Sequence, residues 1–109
     1  MLDELFGNST ASKALLFLAR YGEGYPTEIA GNFSFPVSMV QLQLEKLERA
    51  GVLVSRLKGR TRLYTWNPRY PFRDELLALL CKAFDFMPDD ILATYYKKRT
   101  RPRRAGKPL

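Results

Sequence analysis

The 109-residue chain contains no histidine and a single cysteine, Cys81. One cysteine cannot form a disulfide within the chain. Without histidine there is no Ser-His or Cys-His pair and no side chain whose ordinary pKa lies near neutral pH. The usual metal-ligand clusters of cysteine and histidine are excluded for the same reason. We therefore predict that the protein is not an enzyme, has no catalytic residues and needs neither a metal nor another cofactor.

Long apolar runs are also absent. No uncharged segment approaches the about 20 apolar residues that span a membrane, and Asp3 and Glu4 lie where a secretory signal would be basic. The lone cysteine favours a reducing, intracellular setting. The hydrophobic fraction of 46% is in the globular range, and a chain of this length closes one core rather than two. We expect one cytoplasmic domain with no membrane partner.

Acidic residues are missing from the end of the chain. The formal net charge is +7, yet residues 1–96 contain 11 basic and 11 acidic side chains and sum to zero. The whole excess comes from a basic tail, residues 97–109, whose charged members are Lys97, Lys98, Arg99, Arg101, Arg103, Arg104 and Lys107. A second basic cluster without intervening acids consists of Arg56, Lys58, Arg60 and Arg62. Two basic elements on one small domain indicate a polyanionic partner.

The residues from Tyr25 to Trp66 predict the central part of the fold. Thr27 is expected to cap a short helix through residue 33, a turn at 34–36 follows, and a second helix covers about 37–50. Strands over 52–57 and 60–66 are joined through Lys58 and Gly59 as a β-hairpin. This order, helix, turn, helix, hairpin, predicts a winged helix-turn-helix with a small β-hairpin wing.

Flanking helices complete a mainly α class. Ser9 or Thr10 is expected to cap a helix that ends at Gly22, and Asp74 to cap one that reaches Phe84. A last helix opens after Pro88, so the fold carries additional C-terminal helices and the basic tail. We assign residues 1–84 to the winged helix-turn-helix domain with its flanking helices, 85–96 to a docking C-terminal helix and 97–109 to the extended tail.

The second helix of the motif is amphipathic. Val40, Leu44 and Leu47 cluster on one side at 100° per residue, which makes them the buried stripe. The other side would enter the major groove of DNA as a recognition helix, with its first turns near base edges and its end near phosphates. The predicted DNA-binding residues are Ser38, Gln41, Leu42, Glu45, Lys46 and Arg49 on this helix and Arg56, Lys58, Gly59, Arg60 and Arg62 on the wing.

The chain resembles the ArsR-type winged helix-turn-helix transcription regulators over roughly residues 2–84. The matching residues are Leu5-Phe6-Gly7, Val40-Gln41, Leu44, Leu47-Glu48, Ala50-Gly51-Val52-Leu53, Lys58-Gly59-Arg60 and Tyr64. The resemblance implies a dimer that binds double-stranded operator DNA, as an inverted repeat, and regulates transcription. The chain lacks the cysteine and histidine ligands of the metal-sensing members, so no metal sensing is carried over. Pro36 and Leu42 also depart from residues common in relatives.

The helix that ends at Phe84 is apolar over more than one face. A helix of this kind at the edge of a small domain covers the core with one side and a second subunit with the other. We therefore expect a homodimer and assign its interface to Leu76, Leu77, Leu80 and Phe84. Cys81 lies among these leucines and is interpreted as a packing residue.

The tail around Arg101-Pro102-Arg103-Arg104 vaguely resembles AT-hook peptides, and extended basic arms of this kind contact the phosphates of DNA or lie in its minor groove. A basic tail does not distinguish DNA from RNA, so RNA binding is an alternative. Another is an antitoxin-like winged helix whose charged wing contacts a protein. The leading hypothesis is a sequence-specific DNA-binding regulator associated with the nucleoid.

Overall fold

The computed structural model describes residues 2–97. The helices in this range are α1 (Asp3–Phe6), α2 (Ser9–Tyr21), α3 (Pro26–Phe33), α4 (Val37–Arg49), α5 (Arg73–Phe84) and α6 (Asp89–Tyr95). The strands are β1 (Glu23–Gly24), β2 (Leu53–Lys58) and β3 (Thr61–Trp66). A mainly helical chain with one antiparallel hairpin confirms the predicted fold class.

Helix α2 runs through the centre of the core. Ala14, Leu15, Phe17 and Leu18 are all buried, and the helix ends at Gly22, whose φ of 87° lies in the left-handed region. Glycine adopts that conformation without the steric cost that a Cβ would impose. The helix is thus enclosed by the rest of the domain along most of its length.

The caps of three helices differ from prediction. Asn8, rather than Ser9 or Thr10, caps α2, because its Oδ1 accepts a hydrogen bond from the Ala11 amide at 2.9 Å. Helix α3 begins at Pro26, so Thr27 lies in its first turn and is not its cap. Likewise α5 begins at Arg73, so Asp74 lies in its first turn and is not its cap. In each case the residues predicted as caps lie inside the helix.

Strand β1 was not predicted, because two residues carry no readable periodicity. It pairs with β3, which lies at the centre of the sheet in the order β1-β3-β2, with all pairs antiparallel. Gly24 is buried there, and a Cβ on it would meet Phe17 Cε1 at 2.9 Å and Ile29 Cδ1 at 3.2 Å. The strand can approach α2 and α3 this closely only because residue 24 lacks a side chain.

The C-terminal helix packs on the same core as α2. Tyr96 is buried immediately after α6, and its carbonyl oxygen accepts a hydrogen bond from Arg20 Nε at 2.6 Å. Asn32 Nδ2 donates to the Tyr95 carbonyl at 3.0 Å. The end of the chain's described part is thus tied to α2 and α3. Residues 98–109, most of the predicted tail, lie outside the described range.

Candidate nucleic-acid interface

Helix α4 is held on the body of the domain by one stripe of side chains. Val40 and Leu44 are completely buried and Leu47 is half-buried, as the periodicity predicted. The turn before α4 passes through Ser34 in the left-handed region, at φ 59°, and through Pro36 in an extended conformation. This turn separates α3 from α4 and sets which side of α4 faces away from the core.

The face of α4 predicted to read DNA is exposed along its whole length. It carries Ser38, Gln41, Leu42, Glu45, Lys46 and Arg49, all of them exposed. Two apolar members stand out, since Leu42 is 53% exposed and the neighbouring Met39 is 46% exposed. Met39 was not selected from the sequence, although its position one residue before the buried Val40 places it outside the stripe. An apolar side chain held out from a helix is able to contact the methyl group of thymine.

The pleat of the hairpin divides the basic residues of the wing. Residues paired across an antiparallel ladder point to the same face of the sheet. Leu57 pairs with Arg62 and Ser55 with Tyr64, so Arg62 shares a face with the buried Tyr64. Arg56 pairs with Leu63 and therefore lies on the other face.

Lys58 shares the face of Arg56, because it lies two residues along the same strand. Gly59 and Arg60 form the turn, and Gly59 has a φ of 65°, a left-handed conformation that glycine adopts without steric cost. The predicted cluster is therefore not one surface. Arg62 lies on the face that carries Tyr64 and lines a cleft toward α4, here called the inner face. Arg60 lies at the tip, and Arg56 and Lys58 lie on the opposite, outer face, where Leu63 is buried as well.

A hydrogen-bonded series connects α4 to the wing. Ser55 Oγ donates to Glu48 Oε2 at 2.8 Å and accepts from Arg62 Nη1 at 3.3 Å. Burial, followed by the charges of Glu48 and Glu45, raises the pKa of the neighbouring Tyr64 phenol. Sequence reasoning missed this series because Glu48 and Ser55 lie in different elements. Its effect is to fix the orientation of Arg62 relative to the helix.

A shallow cleft of about 160 Å³ separates the exposed face of α4 from the wing. Gln41 and Glu45 line it on the helix side, and Arg60, Thr61 and Arg62 line it on the wing side. The structure therefore brings the middle of α4 and the residues at and beside the tip of the wing to one surface. The Glu45 carboxylate accepts hydrogen bonds, and the guanidinium groups of Arg60 and Arg62 donate them. This surface can therefore bond donors and acceptors on base edges, and its arginines can bond phosphates.

The residues assigned to a subunit interface are not equivalent in the structure. Leu80 is 0% exposed and Phe84 7% exposed, both within this chain's own core. Their assignment to an intersubunit surface is corrected, because side chains already buried against their own chain have no surface left for a partner. Leu76 and Leu77 are half-buried, and Leu79, 39% exposed, and Cys81 face outward from the same helix.

Other sequence-based expectations concern residues at the edge of the described range. Lys97 is exposed directly after α6, and the remaining tail residues, from Lys98 to Lys107, lie outside the residues that the structure describes.

Within residues 2–97, no group of three or more cysteine and acidic side chains is arranged to hold a metal ion. No helix in that range has the length and apolar character needed to cross a membrane.

No protein-family model matches the chain, and no curated protein matches it significantly. Several solved structures do match the chain. Reduced HlyU from Vibrio cholerae has a TM-score of 0.60 at 19% identity, over 78% of this chain and 83% of that one. The YusO protein from Bacillus subtilis has a TM-score of 0.56 at 17% identity, over 83% of this chain and 70% of that one.

A transcriptional regulator of the MarR family from Rhodococcus sp. has a TM-score of 0.56 at 19% identity, over 84% of this chain and 71% of that one. At such low identity a structural likeness establishes a fold and not a function. The chain accordingly has the winged-helix fold, with α3 and α4 as its helix-turn-helix and the β2–β3 hairpin as its wing.

Proposed function

We propose that the protein is a sequence-specific transcription regulator that binds double-stranded DNA as a homodimer. The observation that carries this proposal is the surface that the exposed side of α4 shares with two arginines of the wing, Arg60 and Arg62. Gln41 and Glu45 lie across a shallow cleft from Arg60 and Arg62. A helix with a free polar face beside a basic hairpin has the shape to enter a major groove while the hairpin contacts the backbone.

The side chains of α4 suggest separate roles along its length. Ser38 and Gln41 lie in its first turns, and a glutamine bonds adenine through two atoms. Glu45 accepts a hydrogen bond from cytosine, and Leu42 contacts a thymine methyl group. Lys46 and Arg49 lie in the last turn and contact phosphates. In this proposal the helix reads the sequence with its beginning and is positioned by its end.

The wing and tail supply contacts that do not depend on sequence. Arg62, held by Ser55 at 3.3 Å, is oriented toward the α4 side, while Arg56 and Lys58 on the outer face contact the flanking backbone or the minor groove. The tail adds seven positive charges, from Lys97 to Lys107. Basic residues on phosphates release counterions, so this part of the affinity should fall steeply with salt.

Dimerisation is proposed from the surface of α5 that the core leaves free. Leu76 and Leu77 are partly covered, and Leu79 is exposed beside them. Exposed Leu5 on α1 offers further apolar surface, since α1 and α5 both pack on α2. A dimer of this kind would bind an inverted repeat with half-sites about 34 to 36 Å apart. The ArsR-type resemblance also implies a dimer. We expect the dimer to act in the cytoplasm, at the nucleoid.

Selection from random duplex DNA tests the proposal. The full chain would be incubated with the library at about 150 mM salt, which suppresses binding to phosphates alone. We expect an enriched inverted repeat, bound by a species of twice the monomer mass in sedimentation. Retention of bulk DNA without an enriched site would contradict sequence-specific regulation. Loss of all duplex binding would also contradict it, and would favour the RNA or protein partners considered above.

A further inference from the structure

A second cleft, of about 250 Å³, opens between α1, α2, α3 and α6. Its walls are mainly apolar and include Leu16, Phe33, Met87, Ile91 and the ring of Tyr95. None of its described lining residues belongs to the surface proposed to bind DNA. A cavity of about 150 Å³ accommodates a benzene ring, so this cleft has room for a ligand of one or two rings.

One polar atom in this cleft lacks a partner. Ser12 is 1% exposed, lines the cleft, and its Oγ forms no hydrogen bond with any residue that the structure describes. A buried hydroxyl without a partner costs free energy that a bound donor or acceptor recovers. The apolar walls together with this single hydroxyl favour a ligand that has one hydrogen-bonding group.

The charges at the edge of the cleft compensate each other. Lys13 Nζ lies 3.5 Å from Asp3 Oδ2, and both side chains are 35% exposed. Partial burial opposes ionisation of Asp3, but the nearby Ser12 hydroxyl and Lys13 outweigh it and hold its pKa below the ordinary value. Ser12 and Asp3 do not, however, form a hydrogen bond of normal geometry. Because the pair has no net charge, the cleft favours an uncharged ligand.

Aromatic rings connect this cleft to the start of α4. Phe33 stacks on Tyr95, with ring centroids 5.5 Å apart and an interplanar angle of 21°. On another side it stacks on Phe35, at 5.7 Å and 28°, in the turn that leads into α4. A ligand that displaces the rings of Phe33 or Tyr95 therefore pushes on the turn that orients α4.

We propose that this cleft binds a small, uncharged aromatic molecule with one hydrogen-bonding group, and that its occupancy changes DNA affinity through Phe33. The second part rests on the proposed function, and the first does not. The ligand's ring system packs between Phe33, Tyr95 and Ile91. Its polar group bonds the Ser12 hydroxyl.

Ligand binding is tested without DNA, with indole and indene as probes that differ in one N–H group. The full chain would be titrated with each probe and followed by two-dimensional NMR. We expect shifts centred on the cleft, and tighter binding of indole than of indene. Ser12→Ala should weaken the binding of indole by about fivefold and leave the binding of indene unchanged. Equal affinity of wild type and Ser12→Ala for indole would overturn the role of Ser12.

A matched pair of variants on α6 tests the location. Ile91→Trp fills the cleft and should abolish binding of both probes, whereas Ala93→Trp places the same side chain at an exposed position of the same helix and should not. Binding that survives Ile91→Trp, or no shift with either probe at millimolar concentration, would overturn the site. Ser12→Ala keeps the test valid if Ile91→Trp does not fold.

The coupling is measured separately, as the affinity for the selected DNA site with and without saturating indole. We expect a change of about fivefold or more. Phe35→Leu, which interrupts the stack but does not line the cleft, should retain indole binding and lose most of this change. An unchanged DNA affinity with indole bound would overturn the coupling. Absence of DNA binding in both states would overturn the proposed function and leave the ligand site intact.

Discussion

Ser55 Oγ on β2 donates a hydrogen bond of 2.8 Å to Glu48 Oε2 on α4. The two residues are seven positions apart, on opposite sides of the turn at Gly51, so the bond joins the proposed recognition helix to its wing. Because the same hydroxyl accepts from Arg62, one serine fixes both the hairpin and an arginine of the proposed DNA surface.

Replacing this serine should loosen the wing. Ser55→Ala removes both hydrogen bonds, and we expect the free energy of unfolding to fall by about 1 kcal/mol, measured by denaturant titration. Binding should weaken for all DNA sequences, because Arg62 is no longer held. Thr61→Ala, which loses only an exposed bond of 3.3 Å to the Lys58 carbonyl, is the control and should stay within about 0.5 kcal/mol of wild type. Equal destabilisation by both variants would argue against the link to α4.

Gln41→Ala should reduce sequence discrimination without unfolding the protein. The side chain is exposed and lines the cleft, so its loss leaves the core intact. We expect the preference for the selected site over a scrambled duplex to fall by about 1 to 3 kcal/mol. Arg49→Ala, at the other end of the helix, should weaken both duplexes alike. A preserved preference in Gln41→Ala would remove this residue from base readout.

Deletion of residues 98–109 should lower affinity for every duplex. Ending the chain after Lys97 preserves the hydrogen bond of 2.8 Å from the Tyr21 hydroxyl to the Lys97 carbonyl, so the domain itself should keep its stability. Each lost phosphate contact reduces the slope of log affinity against log salt by about 0.9. The measurement is a salt titration of DNA binding for both chains. An unchanged slope would show that the tail does not contact phosphates.

Two glycines should respond to alanine with opposite signs. Gly24→Ala introduces a methyl group 2.9 Å from Phe17 and 3.2 Å from Ile29 and should destabilise the fold by about 1 to 3 kcal/mol. Gly31 lies in α3, and a Cβ added there would have no packing neighbour within 4 Å. Gly31→Ala should therefore stabilise the fold by up to about 1 kcal/mol. Thermal or denaturant unfolding of both variants checks this. A neutral Gly24→Ala would show that β1 can shift away from α2.

Stability should decrease at alkaline pH through Tyr96. Burial, followed by the charge of Asp3, raises the pKa of this phenol above its ordinary value. The folded state therefore holds the proton more tightly than the unfolded chain, whose tyrosine pKa is about 10. The resulting stabilisation is complete below about pH 10 and is lost as pH rises above it. Tyr96→Phe should show a weaker decline in unfolding free energy over the same pH range, and parallel declines would contradict this assignment.

Local patterns were sufficient to predict the order of the elements from α2 onward, with the exception of β1. The 3.6-residue periodicity of α4 identified Val40 and Leu44 as buried, and Gly22 and Gly59 marked a helix end and a hairpin turn through their positive φ values. These features are readable because they depend on neighbours a few residues away. Cap residues were predicted less well, since Asn8, Ser9 and Thr10 are all chemically able to cap and only the backbone path selects one.

Relations between distant residues were decided by the tertiary structure. Whether Leu80 and Phe84 face a partner or their own core depends on where α5 crosses α2, and an apolar helix face does not specify its occupant. The division of the wing arginines depends on the register of β2 with β3, because a shift by one residue exchanges the faces. The amino-acid sequence by itself determined the winged-helix order and its charges, through local periodicity and turn chemistry. Only three-dimensional packing placed Glu48 beside Ser55 and left the Ser12 hydroxyl in an apolar cleft, because such contacts join segments that no local pattern connects.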